Sequence, residues 1–154
     1  MTTANLQFRP YTPEDYQTCL SIVESTVPDY FSPEDVEDFK NFMQGAPDAK
    51  MFVMELEDQP IGLGGYVMTG DEARLVYGVV HRAYHGKGYG LALILHRLNQ
   101  IQIENPEAAV TLETTEVTYG FFEKLGFHVV NIEKGFYSGK FDKYEMRFDP
   151  AAAP

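Results

Sequence analysis

The chain has 154 residues, 44% hydrophobic and 14% aromatic, which suffices for one domain with a substantial core. Its lone cysteine, Cys19, excludes an internal disulfide framework and points to a reducing, cytoplasmic setting. Twelve Lys and Arg against 23 Asp and Glu leave a net charge of −11, which argues against a general nucleic-acid binder and against docking to an anionic membrane. No apolar run approaches the ~20 residues of a membrane span, and the first residues lack the basic and apolar regions of a secretory signal.

Residues 5–9 read as a short strand. Thr12-Pro13-Glu14-Asp15 is a helix start, with an N-cap hydroxyl, proline at N1 and acids in the first turn, and the helix is expected to run to Ser25. Ser32-Pro33-Glu34-Asp35 repeats the signal for a helix to Gln44, stopped by Gly45. Apolar runs at 51–56 and 61–68 flank Glu57-Asp58-Gln59-Pro60 and predict a hairpin. Gly70-Asp71 is a second turn before a strand at 73–80. Residues 86–90 form a glycine-rich loop, and apolar residues at 91, 94, 95, 98 and 101 give the next segment a helical period. A strand at 109–115, a helix at 118–125 closed by Gly126, a strand at 127–132, a loop at 135–139 and a strand at 143–148 complete the order. The core spans about 5–148, with 149–154 as a tail. Strands and helices mixed in this way predict an α/β (α+β) single domain over 1–154, with about seven strands and four helices.

The charge is unevenly spread. Residues 1–72 carry 14 acids and 3 bases, and 104–154 carry 9 acids and 5 bases. Between them, 73–103 hold no acid and four bases, Arg74, Arg82, Lys87 and Arg97. A stretch of this kind suits a local anion site, and equally a gap filled by core strand and helix.

Within it lies His85-Gly86-Lys87-Gly88-Tyr89-Gly90-Leu91, a strand-to-helix turn with glycines at alternate positions. Glycines let a backbone turn tightly and approach a ligand. Successive amides at a helix N-terminus attract anions, aided by the helix dipole. Lys87 and Arg82 would add charge, and His81 either binds phosphate or caps the strand. The pattern is neither a Walker A loop nor a dinucleotide fingerprint.

The segment resembles the acyl-CoA pyrophosphate loop of the GNAT N-acetyltransferase superfamily, [RQ]-x-x-G-x-[GA], with His85 in place of the first Arg or Gln. Phe121-Phe122-Glu123-Lys124-Leu125-Gly126-Phe127 is similar to the family's later [FL]-Y-x-K-x-G-F. The resemblance implies a mixed, mostly antiparallel, twisted sheet splayed between the fourth and fifth strands. It implies acetyl-CoA as cosubstrate, no metal, and acetyl transfer to a primary amine of a small molecule or peptide by direct attack. Cofactor contacts would come from Val79, Val80, His85, Gly86, Lys87, Gly88, Tyr89, Gly90, Leu91 and Phe122. Gly78 would either permit a bulge that aims a strand amide or pack beneath a helix.

Two catalytic positions depart from the family. Phe122 stands where the proton-donating tyrosine is usual, and Arg74 or Val76 where the strand base is usual. Glu113, expected to be half-buried, Glu72 and Tyr119 are the replacement candidates, with Tyr137 and Tyr144 as further phenols. Each has a plain structural reading as well, an ion-paired or solvated strand residue or a packed aromatic. These departures keep open an acyl-CoA-binding sensor or interaction module, and more remotely a simple phosphate or nucleotide binder. The acidic surround suits a cationic acceptor, and a homodimer is compatible with the sequence.

Overall fold

The computed structural model describes residues 5–45, 48–137 and 139–150. Most of the expected tail, 151–154, therefore lies outside the described residues. The element order is β1 (Leu6–Pro10), α1 (Tyr16–Glu24), α2 (Pro33–Gln44), β2 (Lys50–Leu56), β3 (Gln59–Thr69), β4 (Glu72–Val80), α3 (Tyr89–Glu104), β5 (Ala109–Thr114), α4 (Tyr119–Glu123), β6 (His128–Tyr137) and β7 (Phe141–Phe148). The seven strands are hydrogen-bonded in the order β1-β2-β3-β4-β5-β7-β6. β4 and β5 run parallel, paired from Glu72–Ala109 to Arg74–Thr111, whereas β1–β2, β2–β3, β5–β7 and β6–β7 are antiparallel.

The chain groups into two compact units, one of residues 1–66 and 76–99, the other of 67–75 and 100–154. In the first, Met54, Ile61 and Leu93 form a buried cluster on which Leu6, Phe8, Leu56, Val80, Tyr84 and Tyr89 pack. Arg9 of β1 ties this unit together. Its Nη1 and Nη2 each donate to Asp15 at 2.8 Å and its Nε to Glu55 at 3.0 Å, which lowers the Asp15 carboxyl to about 2. In the second unit Val110, Leu112, Phe127, Phe141 and Met146 are buried.

Local chemistry explains the ends of the elements. At α2, the Asp35 amide donates to Ser32 Oγ and the Ser32 amide to Asp35 Oδ2, a reciprocal cap with Pro33 in the first turn. The expected first helix starts with a 3-10 turn at Pro13–Asp15 before α1. The β2–β3 connection is tighter than the four residues expected. Glu57 and Asp58 alone make the turn, with φ of +50° and +65°, and Pro60 is already paired with Glu55. Two positive-φ residues match the right-handed twist of a two-residue hairpin. β6 continues through Gly135 to Tyr137, where a loop was expected; the register shifts between Glu133 and Tyr137, and the Gly135 amide donates to Asp142 Oδ1 at 2.8 Å.

Candidate functional site

The glycine turn leads from the end of β4 into α3. Gly86 and Gly88 have φ of +75° and +86°, and a Cβ at either would meet nothing within 4 Å. Backbone conformation, not crowding, therefore selects glycine at both. Gly90 also has open space around it and lies in the first turn of α3. The Gly88 carbonyl accepts from the Ala92 amide at 3.2 Å, so Gly88 begins the helical ladder. Among the described residues, none of the amides from Gly86 to Leu91 has a hydrogen-bond acceptor. Such a run of free amides at the N-terminus of a 16-residue helix is a ready anion cradle. Lys87 is exposed at its rim, 6.0 Å above the Tyr84 ring.

The loop is pinned from both sides. Tyr84 before it and Tyr89 after it pack on the Met54–Ile61–Leu93 cluster. His85, the residue that departs from the family pattern, donates from Nε2 to the Val80 carbonyl at 2.6 Å, and its ring takes the edge of Tyr30 at 5.1 Å. His81 donates its amide to Ile61 and accepts from the Ala83 amide at Nδ1, so it caps the strand end. Arg82 is paired with Asp29, and its amide donates to Ser25 Oγ at 3.1 Å. The expected basic patch is thus thinned. Arg82 spends its charge on Asp29, and Arg97 is buried at 4% exposure, which leaves Lys87 as the exposed cation of the loop.

Arg97 was hidden from the sequence by the phase of α3. The expected face was 91, 94, 95, 98 and 101. The structure buries Leu93, Ile94, Arg97 and Ile101 and exposes Leu91 at 38% and Leu95 at 50%. The unbroken apolar run at 91–95 carries little phase information, and here the pinned loop fixes where the helix starts. An arginine three residues after Ile94 and four before Ile101 was the available signal.

The glycines of β3 and β4 serve close packing. A Cβ on Gly78 would lie 2.4 Å from Arg97 Nη2, and one on Gly64 3.2 Å from Arg97 Cζ. A Cβ on Gly65 would lie 2.3 Å from the Lys50 carbonyl. Gly78 therefore makes room beneath a helix, and the kink in β4 falls on Tyr77, at φ +50°. That conformation is costly for an aromatic residue. Phe39 and Phe42 of α2 pack on the Tyr77 ring at 5.2 and 5.0 Å.

The catalytic candidates lie in the second unit. Glu113 is exposed, not half-buried, because strand alternation turns Leu112 into the core. It lines a shallow pocket with Arg74, Thr111, Glu145 and Arg147. Glu72 accepts from Arg147 Nη1 at 3.1 Å. Tyr119 stacks on Tyr144 with ring centroids 4.6 Å apart. Phe122 packs edge-on against Phe121 and Phe127. Gly126 closes the α4 turn at φ +103°. Among the described residues, no cluster of three His, Cys, Asp or Glu side chains is arranged to hold a metal, and no helix is long and apolar enough to cross a membrane.

The family profile of the acetyltransferase (GNAT) domain matches residues 10–148. The chain belongs to the GNAT acetyltransferase family and is an acetyltransferase by that membership. Solved structures share the fold. The ribosomal-protein-S18-alanine N-acetyltransferase of Escherichia coli is 18% identical, with a TM-score of 0.80 and 97% of each chain covered. Ard1 of Thermoplasma volcanium is 19% identical, with a TM-score of 0.73, covering 94% of this chain and 97% of that one. The PaiA N-acetyltransferase of Thermoplasma acidophilum, solved with coenzyme A, is 17% identical, with a TM-score of 0.71 and coverage of 94% and 99%. Comparison with curated proteins returns no match.

Proposed function

We propose that this protein transfers the acetyl group of acetyl-CoA to a primary amine of a small molecule or peptide. The observation that carries the reading is the turn at Gly86–Gly90, whose unpaired amides open the long helix α3 with Lys87 at their rim. The amides of Gly86, Lys87, Gly88, Tyr89, Gly90 and Leu91 would hold the pyrophosphate, and Val79 and Val80 at the end of β4 would flank the pantetheine arm. His85 contributes as a buttress of the loop, since its Nε2 is committed to the Val80 carbonyl. A bound coenzyme A in the PaiA structure, which has this fold, supports the same donor here.

Direct attack needs a neutral amine and a tolerable leaving group. Glu72 is held by Arg147, and Glu113 stands in solvent. Tyr119 lies one helical turn before Phe122, the position where the resemblance places a proton donor, and is the phenol proposed for that role.

A thermal-shift titration tests the reading. Acetyl-CoA and CoA at 100 times Kd are expected to stabilise the protein by about 2.7 kcal/mol, and the double change Lys87→Glu, Gly88→Glu to abolish the shift. No shift with CoA, or a preference for ATP, overturns it.

A further inference from the structure

The buried face of α3 holds a cation where its period calls for an aliphatic residue. Arg97 lies between Ile94 and Ile101 and is 4% exposed. Its Nε donates to the Leu93 carbonyl and its Nη1 to the Gly65 carbonyl, each at a long 3.4 Å. Among the described residues, no carboxylate is paired with it. Burial lowers the guanidinium to about 10, so it stays charged at neutral pH.

The sheet is shaped around this side chain. Nη2 would lie 2.4 Å from a Cβ on Gly78, and Cζ 3.2 Å from a Cβ on Gly64. Even alanine at 78 would displace the guanidinium. Yet Gly78 is exposed, so its backbone is covered by Arg97 on the Cβ side and open elsewhere. The next residue back, Tyr77, carries the positive-φ kink of β4, and the next residue forward is Val79. A buried charge with no counter-ion costs stability that an aliphatic side chain of similar volume would not. Keeping it, with a glycine slot to hold it, calls for a use.

We propose that Arg97 is a positioning residue for acyl transfer, its charge acting through the β4 backbone at Gly78 and Val79 on the thioester of bound acetyl-CoA. The proposal rests on the acetyl-CoA reading above. In the transfer the amine lone pair attacks the thioester carbon and a C–N bond forms. The C–S bond breaks, its electron pair goes to sulfur, and the proton lost by nitrogen passes to solvent. Negative charge builds first on the carbonyl oxygen and then on the thiolate. A fixed cation behind the strand would stabilise both charges without reorganisation.

The test reads the thiol of bound CoA by thiolate absorbance against pH, in the wild-type protein and in Arg97→Met and Arg97→Lys. The wild type is expected to hold the thiol at least one pH unit below that of free CoA, Arg97→Met to return it to the free value, and Arg97→Lys to keep most of the displacement. With an amine acceptor, Arg97→Met is expected to lower kcat roughly ten- to a hundredfold, with KM for acetyl-CoA within about threefold of wild type. A bound thiol that titrates as in free CoA overturns the proposal from the wild type alone, whether or not Arg97→Met folds. An unchanged titration and kcat in folded Arg97→Met overturn it as well. Failure of CoA to bind the wild type overturns the acetyl-CoA reading itself.

Discussion

His96 and Arg97 are neighbours in sequence, and both are polar groups placed among apolar ones. His96 stacks on Phe8 with centroids 4.2 Å apart and meets Phe52 edge-on at 4.7 Å. Its buried Nε2 has no hydrogen-bond partner among the described residues. Burial first, and then the adjacent Arg97 charge, push its pKa below the ordinary 6.5. A histidine that resists protonation in the fold contributes no penalty above pH 6.5. Below that, the unfolded chain takes up a proton that the native state does not, and stability falls by up to about 1.4 kcal/mol per pH unit. His96→Phe keeps the stack and removes the orphan nitrogen. Chemical denaturation at pH 7.5 and 5.5 should show the variant losing less stability than wild type over that interval. Equal losses would place the acid sensitivity elsewhere. The pairing of Phe8 with His96 was invisible in the sequence, because the two positions are 88 residues apart and only β1 against α3 brings them together.

Among the elements, the glycine turn and α3 act as one device. The spacing of the glycines was readable from the chain, and so was the expectation of a helix after them. Their separate roles were not. Gly86 and Gly88 need positive φ, whereas Gly90 sits in open space at the start of a helix. Gly88→Ala is therefore expected to cost about 1–2 kcal/mol through backbone strain and to weaken CoA binding with it. Gly90→Ala should stabilise α3 by up to about 1 kcal/mol in the absence of CoA. Melting curves with and without CoA check both, and similar behaviour of the two variants would refute the distinction. α2 shows the opposite case, an element legible almost residue by residue. Ser32, Pro33 and Asp35 act within one turn, so their chemistry needs no tertiary partner. The phase of α3 did need one. With five apolar residues in a row at 91–95, only packing decided which of them went inside.

At the scale of the whole molecule the net charge of −11 meets a loop whose exposed cation is Lys87. The four bases of 73–103 suggested a small basic patch, and the fold disperses them. Arg82 goes to Asp29, Arg97 to the interior and Arg74 to the pocket lined by Glu113. On the proposed reading, anion binding would fall mainly to backbone amides, which salt screens less than exposed side chains. On the proposed reading, the acidic remainder would favour a cationic acceptor. Raising ionic strength from 0.05 to 0.5 M is expected to raise KM for a cationic amine severalfold while leaving KM for acetyl-CoA nearly flat. A flat response for the amine would reduce the acidity to a matter of solubility.

What the chain determined by itself was what depends on near neighbours. That covers the order of strands and helices, the caps at Ser32 and Gly126, the glycine turn and the two family motifs. Turns, caps and glycine conformations are set within four or five residues, so they survive as patterns in one dimension. The tertiary structure alone decided which charges were spent and which were left. Glu72 met Arg147, Arg82 met Asp29, and Arg97 entered a slot made by Gly64 and Gly78. Each of those fates depends on groups far away along the chain, and the energy of a charge depends on its surroundings more than on its sequence neighbours.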